Sequence, residues 1–109
     1  MSVERDIKQE ILSLYKKIFN KIIIDGIYLF GSYAKGNADS GSDIDVAILS
    51  NEFEGIRFYD SVKISKILIH ETYPTFEFAE FEIHPFKTDL FNEEDPLAEE
   101  IIRTGIKIV

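Results

Sequence analysis

Apolar and charged residues alternate at helical spacing over the first twenty residues. The apolar positions are Val3, Ile7, Ile11, Leu14 and Ile18. Because this spacing places one apolar stripe along a helix, it predicts an amphipathic helix over residues 3–20. Ser2 precedes this helix and is its expected N-cap.

Two short strands are predicted next, on either side of a polar loop. The segment GIYLF, residues 26–30, is β-branched and aromatic, whereas residues 31–42, GSYAKGNADSGS, have the composition of a loop. In DIDVAILS, residues 43–50, every second position is strongly apolar. These apolar side chains are expected to enter the core, which leaves Asp43 and Asp45 together on the other face.

A second helix and a third strand follow. Residues 58–71 predict a helix, with a strand as the minor alternative because of their β-branched content. Its expected buried positions are Val62, Ile64, Ile67 and Leu68. Residues 74–86, PTFEFAEFEIHPF, alternate apolar residues with Glu and predict a strand that Pro85 ends. The alternation slips at Ala79 and Glu80, which indicates either a bulge or the true start of the strand.

The C-terminal segment has clear helix boundaries. Asp95 is the expected N-cap, Pro96 the first helical residue and Gly105 the end, and residues 106–109 predict an edge strand. The order of elements suits an α/β or α+β fold in which helices pack on a small sheet. At this length we expect one domain, residues 1–109.

The composition narrows the possible functions. The formal charge of −8 disfavours direct binding to nucleic acid, although it suits a basic partner or divalent cations. The absence of cysteine excludes zinc-thiolate sites and thiol nucleophiles. The N-terminus does not resemble a signal peptide, and no apolar run approaches the roughly 20 residues of a membrane span. We therefore expect a cytoplasmic protein.

The paired aspartates are the first candidate for chemistry. On one face of a strand, the Cα atoms of Asp43 and Asp45 lie roughly 7 Å apart, so their carboxylates repel each other unless a cation lies between them. Mg²⁺ prefers such oxygen ligands together with substrate phosphates. In the preceding loop, Gly31 allows close approach of a phosphate and Ser32 offers a hydroxyl and an N–H. A helical turn at residues 33–35 would add its dipole.

The segment GSYAKGNADSGSDIDVAI resembles the signature of the DNA polymerase β-like nucleotidyltransferase superfamily, which is Gly-Ser, ten residues and Asp-x-Asp. The short chain resembles the minimal nucleotidyltransferases of that superfamily over nearly its whole length. The resemblance implies a small mixed sheet, like the polymerase β palm, with helices packed on it. It also implies two Mg²⁺ ions as cofactors and ATP as the substrate.

Site residues carry over from the resemblance position by position. Gly31 and Ser32 would bind the nucleotide phosphates, and Asp43 and Asp45 would ligate both metals. We also expect Lys35 and Ser42 to contact the nucleotide, although a loop lysine such as Lys35 is as often merely solvated.

The third carboxylate of the family has two candidates here, Glu80 and Glu82. We favour Glu82 as catalytic residue and metal ligand, because its segment resembles the place where relatives carry an acid before a proline. A solvent-facing Glu on an amphipathic strand is also common. The chain departs from the family at Asp39, which stands where relatives commonly carry an arginine in the loop.

The implied reaction is two-metal nucleotidyl transfer to a hydroxyl. One metal would hold the triphosphate, the other would activate the acceptor, and Glu82 would lie near the second. The expected domain leaves no room for the acceptor-binding lobe of larger relatives, so a partner is expected to supply it. In prokaryotes, proteins of this type resemble antitoxins that pair with HEPN-domain proteins, and some transfer AMP to a tyrosine of that partner.

Two alternatives remain open. The first is a catalytically weak or inactive antitoxin of the same fold that neutralises its partner by binding. The second is a small-molecule nucleotidyltransferase whose acceptor site lies on another chain. Self-association is compatible with either.

Other chemically notable residues have simpler explanations. His84 precedes Pro85, a setting more typical of a structural or surface histidine than of a base or ligand. His70 lies near a helix end, where it suits the helix dipole. The aromatic residues Phe76, Phe78, Phe81 and Phe86 are expected in the core. Any that prove exposed as a patch would mark a partner interface.

Overall fold

The computed structural model describes residues 5–109, in four helices and four strands. In chain order these are α1 Ile7–Ile18, β1 Gly26–Phe30, α2 Ser32–Lys35, β2 Ile44–Leu49, α3 Arg57–Thr72, β3 Phe81–Phe86, α4 Pro96–Thr104 and β4 Ile106–Lys107. A single 3-10 turn, Thr88–Leu90, joins β3 to α4. No helix in this range is both long enough and apolar enough to cross a membrane.

The strands form one mixed sheet in the order β3-β2-β1-β4. β1 pairs antiparallel with both β2 and β4, whereas β2 pairs parallel with β3. The parallel pair requires a crossover, which α3 provides. The predicted fold class, a small mixed sheet with helices packed on it, is therefore confirmed.

The sheet is buried on both faces by different helices. One face packs against α1 and α3 through a larger core, which includes Ile11, Leu14, Ile18, Ile44, Val46, Ile48 and Ile64. The other face packs against α4 through a smaller core of Ala47, Leu49, Phe86, Ala98 and Ile101. Every residue of β2 after Asp45 is therefore buried. The predicted alternation accounts for the buried residues on one face, and the small residue Ala47 allows close packing on the other.

The first helix is shorter than predicted. It begins at Ile7, because the Asp6 carboxylate accepts a hydrogen bond of 3.1 Å from the Gln9 N–H and so caps the helix. It ends at Ile18 rather than at residue 20. The proposed cap Ser2 lies outside the described residues.

The third strand also differs from the prediction. It begins at Phe81, since residues 74–80 form turns in which the Phe76 carbonyl accepts from the Ala79 N–H and the Phe78 carbonyl from the Phe81 N–H. The slip in alternation thus marked the true start of the strand. Pro85 does not end β3 but lies within it, which is tolerated because β3 is an edge strand.

The remaining elements follow the predictions closely. β1 matches residues 26–30, and β2 lies within residues 43–50. α4 is capped by Asp95, whose carboxylate accepts from the N–H groups of Leu97 and Ala98, with Pro96 first in the helix and Gly105 at its C-cap. In α3, however, Val62 is exposed rather than buried.

Candidate functional site

Strand β2 carries one of the two signature aspartates, and the preceding loop carries the other. Asp45 is the second residue of the strand and is half-buried. It shares a face with Ala47 and Leu49, but α4 covers those two residues and leaves the start of the strand accessible. Asp43 is exposed at the end of the loop.

The neighbouring strand β3 brings a second carboxylate and an imidazole to the same face. Asp45 and Glu82 are direct partners in the parallel register. His84 follows two residues later, and its Nε2 lies 3.3 Å from Asp45 Oδ1 and 3.9 Å from Glu82 Oε1. One donor atom from each of the three side chains lies within 4.8 Å of the others.

Gly31 closes the site from the end of β1. Its backbone has φ +74° and ψ −152°, a conformation essentially restricted to glycine. A Cβ at this position would overlap the Asp45 carboxylate, with Oδ2 as its nearest atom. The absence of a side chain therefore lets the turn after β1 lie directly against Asp45.

The turn leads into α2, as predicted for residues 33–35. Ser32 is the first residue of this one-turn helix and is partly buried, whereas Lys35 is its last residue and is exposed. The Ser32 carbonyl accepts from the N–H groups of Gly36 and Asn37, which ends the turn. The backbone of Ser32 is thus fixed beside Gly31, and Lys35 projects from the loop.

Asp39 organises the second half of the loop. Its carboxylate accepts from the Gly41 N–H at 2.9 Å and from the Ser42 hydroxyl at 3.2 Å, while its own N–H donates to Ser42 Oγ at 3.0 Å. The departure from the family pattern thus has a structural consequence, because Asp39 and Ser42 form a closed turn just before Asp43. The Ser42 hydroxyl, a predicted nucleotide contact, is engaged in this turn.

Glu80, the other candidate for the third carboxylate, lies elsewhere. It lies in the turn before β3 and forms a 2.8 Å ion pair with Arg5. Arg5 also forms an ion pair with Glu10. The hydrogen bond to Glu10 has the largest effect on Arg5, followed by that to Glu80, and both raise the pKa of Arg5. Glu80 is therefore neutralised by an arginine, whereas Glu82 faces Asp45.

This donor set fits a divalent cation. Asp45 and Glu82 are two like charges on adjacent strands, and a shared cation relieves their repulsion. Asp43, a predicted metal ligand, is exposed at the end of the loop and is not one of the three residues whose donor atoms lie within 4.8 Å of one another. A bound cation at such a site would neutralise the charge of a phosphate group.

The comparison with known families identifies the family to which this fold belongs. The family described as nucleotidyltransferase domain matches residues 5–104. The chain belongs to this family. In this nucleotidyltransferase domain the Gly-Ser pair lies in the turn between β1 and α2, and the Asp-x-Asp pair spans the end of the loop, at Asp43, and the second residue of β2, Asp45.

Two curated proteins are similar to parts of this nucleotidyltransferase domain. “Putative protein adenylyltransferase MJ0141” of Methanocaldococcus jannaschii is 41% identical over 61 residues, which cover 53% of this chain and 60% of that protein. “Probable protein adenylyltransferase MntA” of Haemophilus influenzae is 44% identical over 48 residues, which cover 43% and 42%. The chain thus spans about half the length of the curated relatives it matches.

The structure adds His84 to the residues predicted at this site. This histidine is half-buried between Asp45 and the ring of Phe30, rather than a surface residue. The signal was present in the spacing, because residues two apart in a strand share a face. Because β3 is regular over these residues, Glu82 and His84 point to the same face of the sheet.

Proposed function

We propose that this nucleotidyltransferase domain transfers AMP from ATP to a hydroxyl group on a HEPN-type partner protein and acts as its antitoxin. The carrying observation is that Gly31, Asp45 and Glu82 converge at one edge of the sheet. A turn suited to phosphate and two carboxylates suited to a cation thus lie side by side. The names of both curated relatives support a protein as the acceptor.

Each part of the site has a task in this reaction. The turn at Gly31 and Ser32 binds triphosphate oxygens through backbone N–H groups and the Ser32 hydroxyl. Asp43, Asp45 and Glu82 would hold divalent cations, which would supply charge neutralisation and lower the pKa of the acceptor hydroxyl.

The reaction balances without another reactant. The acceptor oxygen forms a bond to the α-phosphorus of ATP. The bond between that phosphorus and the oxygen that bridges it to the β-phosphate breaks, and pyrophosphate leaves. The proton of the acceptor passes to Glu82, whose side chain is more than half exposed and so open to an incoming hydroxyl. Positioning and charge neutralisation account for most of the rate enhancement in such transfers.

An exposed apolar surface supports a protein partner. Three side chains of α3 and that of its C-cap residue, at i, i+4, i+11 and i+15, fall within about 60° of one another on a helix with 3.6 residues per turn. We call Phe58, Val62, Ile69 and Tyr73 the α3 stripe; all four are exposed. Phe76 extends it and is also exposed, contrary to its expected place in the core. Exposed apolar side chains gathered on one face of a helix are typical of a protein interface.

The experiment that tests this function is intact-protein mass spectrometry of the protein encoded by the neighbouring gene, where that gene encodes a HEPN-domain protein. The partner is incubated with ATP, Mg²⁺ and either the natural chain or the Asp43→Asn/Asp45→Asn double variant. We expect a mass increase equal to one or more AMP groups with the natural chain only. The asparagines retain size and hydrogen bonding, so the comparison isolates the two charges.

The other outcomes separate the alternatives. No mass increase together with a stable complex of the partner with both forms would replace this proposal with the antitoxin that acts by binding alone. AMP transfer to small molecules in a screen without any partner would instead identify a small-molecule transferase. Full activity of the double variant would overturn the assignment of the site.

A further inference from the structure

His84 is held in one position beside the two carboxylates. Its imidazole ring lies edge-on to Phe30, with the ring centroids 4.9 Å apart and an interplanar angle of 66°. Only 17% of the side chain is exposed. This packing directs Nε2 toward Asp45 and Glu82, at 3.3 Å and 3.9 Å from their oxygens.

These separations match the ligand spacing of a single cation. In an octahedral site with bonds of about 2.1 Å, neighbouring donors lie about 3 Å apart and opposite donors about 4 Å apart. The donors of Asp45, Glu82 and His84 all lie within 4.8 Å of one another. The Glu82 side chain is 56% exposed, which leaves its carboxylate room to rotate.

We propose that His84 supplies a nitrogen ligand to this cation site and thereby makes it prefer Mn²⁺ to Mg²⁺. The inference rests on the proposed function in one respect, namely that Asp45 and Glu82 hold a cation. Imidazole suits transition metals, whereas Mg²⁺ favours an all-oxygen shell. If His84 served only as a hydrogen-bond donor that orients Asp45, both metals would bind through oxygen and would depend on His84 equally.

The first test compares metal affinities without nucleotide. Mn²⁺ binding is measured by the electron paramagnetic resonance signal of the free ion, and Mg²⁺ binding by titration calorimetry. We expect His84→Gln to weaken Mn²⁺ binding by about 10- to 100-fold, in line with losses at other metal sites, and Mg²⁺ binding much less. His70→Gln, at the other histidine of the chain, is the matched control and should change neither. Equal losses for both metals, or unchanged Mn²⁺ affinity in His84→Gln, would overturn the proposal.

A second measurement needs no variant. The chain contains two histidines, and His70 is highly exposed on α3, away from the site. In long-range ¹H–¹⁵N spectra of the natural chain, addition of Zn²⁺ should shift Nε2 of His84 to the value of a coordinated imidazole nitrogen, with His70 unchanged. A His84 Nε2 that remains protonated with the metal bound would contradict coordination.

Failure of this proposal is distinguishable from failure of the proposed function. If the natural chain binds Mn²⁺ through His84 but no AMP reaches the partner, only the proposed function is wrong. If AMP transfer occurs and His84→Gln leaves the ratio of Mn²⁺ to Mg²⁺ affinity unchanged, only the present proposal is wrong. If the natural chain binds neither cation and no AMP reaches the partner, both are wrong.

Discussion

Asp45 and Glu82 are register partners across the parallel pair of β2 and β3, whereas Glu80 lies in the turn before β3 and forms an ion pair with Arg5. This difference predicts opposite outcomes for two matched substitutions. Glu82→Gln should lower the rate of AMP transfer by about 10²-fold or more, comparable to the loss of one charge-stabilising group in other active sites. Glu80→Gln should leave the rate nearly unchanged, because it removes only an exposed ion pair.

The measurement is the single-turnover rate of AMP transfer at saturating ATP. Thermal unfolding provides the control for structure, and Glu82→Gln should not destabilise the chain, because it removes a carboxylate beside another carboxylate. An exposed ion pair contributes about 0–1 kcal/mol, so Glu80→Gln should also remain folded. Comparable activity losses in both variants would show that register with Asp45 does not identify the third carboxylate.

The two glycines that flank α2 provide a second matched pair. Gly31 and Gly36 both have positive φ, but a Cβ on Gly31 would overlap Asp45, while a Cβ on Gly36 would meet nothing within 4 Å. We expect Gly31→Ala to lower the free energy of unfolding by about 1–3 kcal/mol and Gly36→Ala by about 1–2 kcal/mol. Only Gly31→Ala should also weaken cation binding, since it displaces the Asp45 carboxylate.

Chemical denaturation and titration calorimetry with Mn²⁺ check these expectations separately. The denaturation curves report the backbone strain that both substitutions share, and the calorimetry reports the contact that only Gly31 makes. Unaltered Mn²⁺ affinity in folded Gly31→Ala would mean that the close approach of the turn to Asp45 has no role in the site.

Much of this arrangement followed from local pattern. The alternation in β2 correctly placed Ile44, Val46 and Ile48 in the core, and caps such as Asp95 fixed the bounds of α4. These features depend on neighbours in sequence, so they can be inferred from periodicity and side-chain chemistry alone.

The rest depended on tertiary contacts. Residues 74–79 alternate like a strand, but they lie in turns closed by local hydrogen bonds, and in this segment the backbone reaches β2 at the Glu80 carbonyl, which accepts from the Ile44 N–H. The pairing of Asp45 with Glu82 rather than Glu80 is a matter of register between strands separated by α3, which no local pattern specifies. The position of His84 beside Asp45 follows only from that register.

Asp39 provides a third prediction, because its carboxylate has both a structural and an electrostatic effect. Asp39→Asn retains the acceptor for the Gly41 N–H but removes a negative charge from a loop expected to approach the triphosphate. We expect ATP to bind about 2- to 5-fold more tightly, as for an exposed charge interaction of about 0.5–1 kcal/mol. Asp39→Ala also removes the charge but opens the turn with Ser42, so its affinity for ATP should increase less than that of Asp39→Asn.

Calorimetric titration with ATP at two salt concentrations tests this explanation. An electrostatic gain should shrink as salt increases, because exposed charges are screened. Tighter binding of Asp39→Asn that does not vary with salt, or no gain at all, would show that Asp39 does not repel the nucleotide.

The α3 stripe provides a fourth prediction, for the complex with the partner. Ile69 lies in the middle of the stripe and is 56% exposed, so Ile69→Asp should cost no core packing in the free chain. At the centre of an apolar interface, however, the new charge would be buried without a partner. We expect the dissociation constant to rise by about 30-fold or more, which corresponds to about 2 kcal/mol.

Ile23→Asp is the control, since Ile23 is 66% exposed after α1, outside the stripe. Surface plasmon resonance with the immobilised partner, together with thermal unfolding of each variant, gives the comparison. If both variants bind as the natural chain does, the partner docks on another surface, and if both lose binding equally, the effect is one of added charge rather than of the stripe.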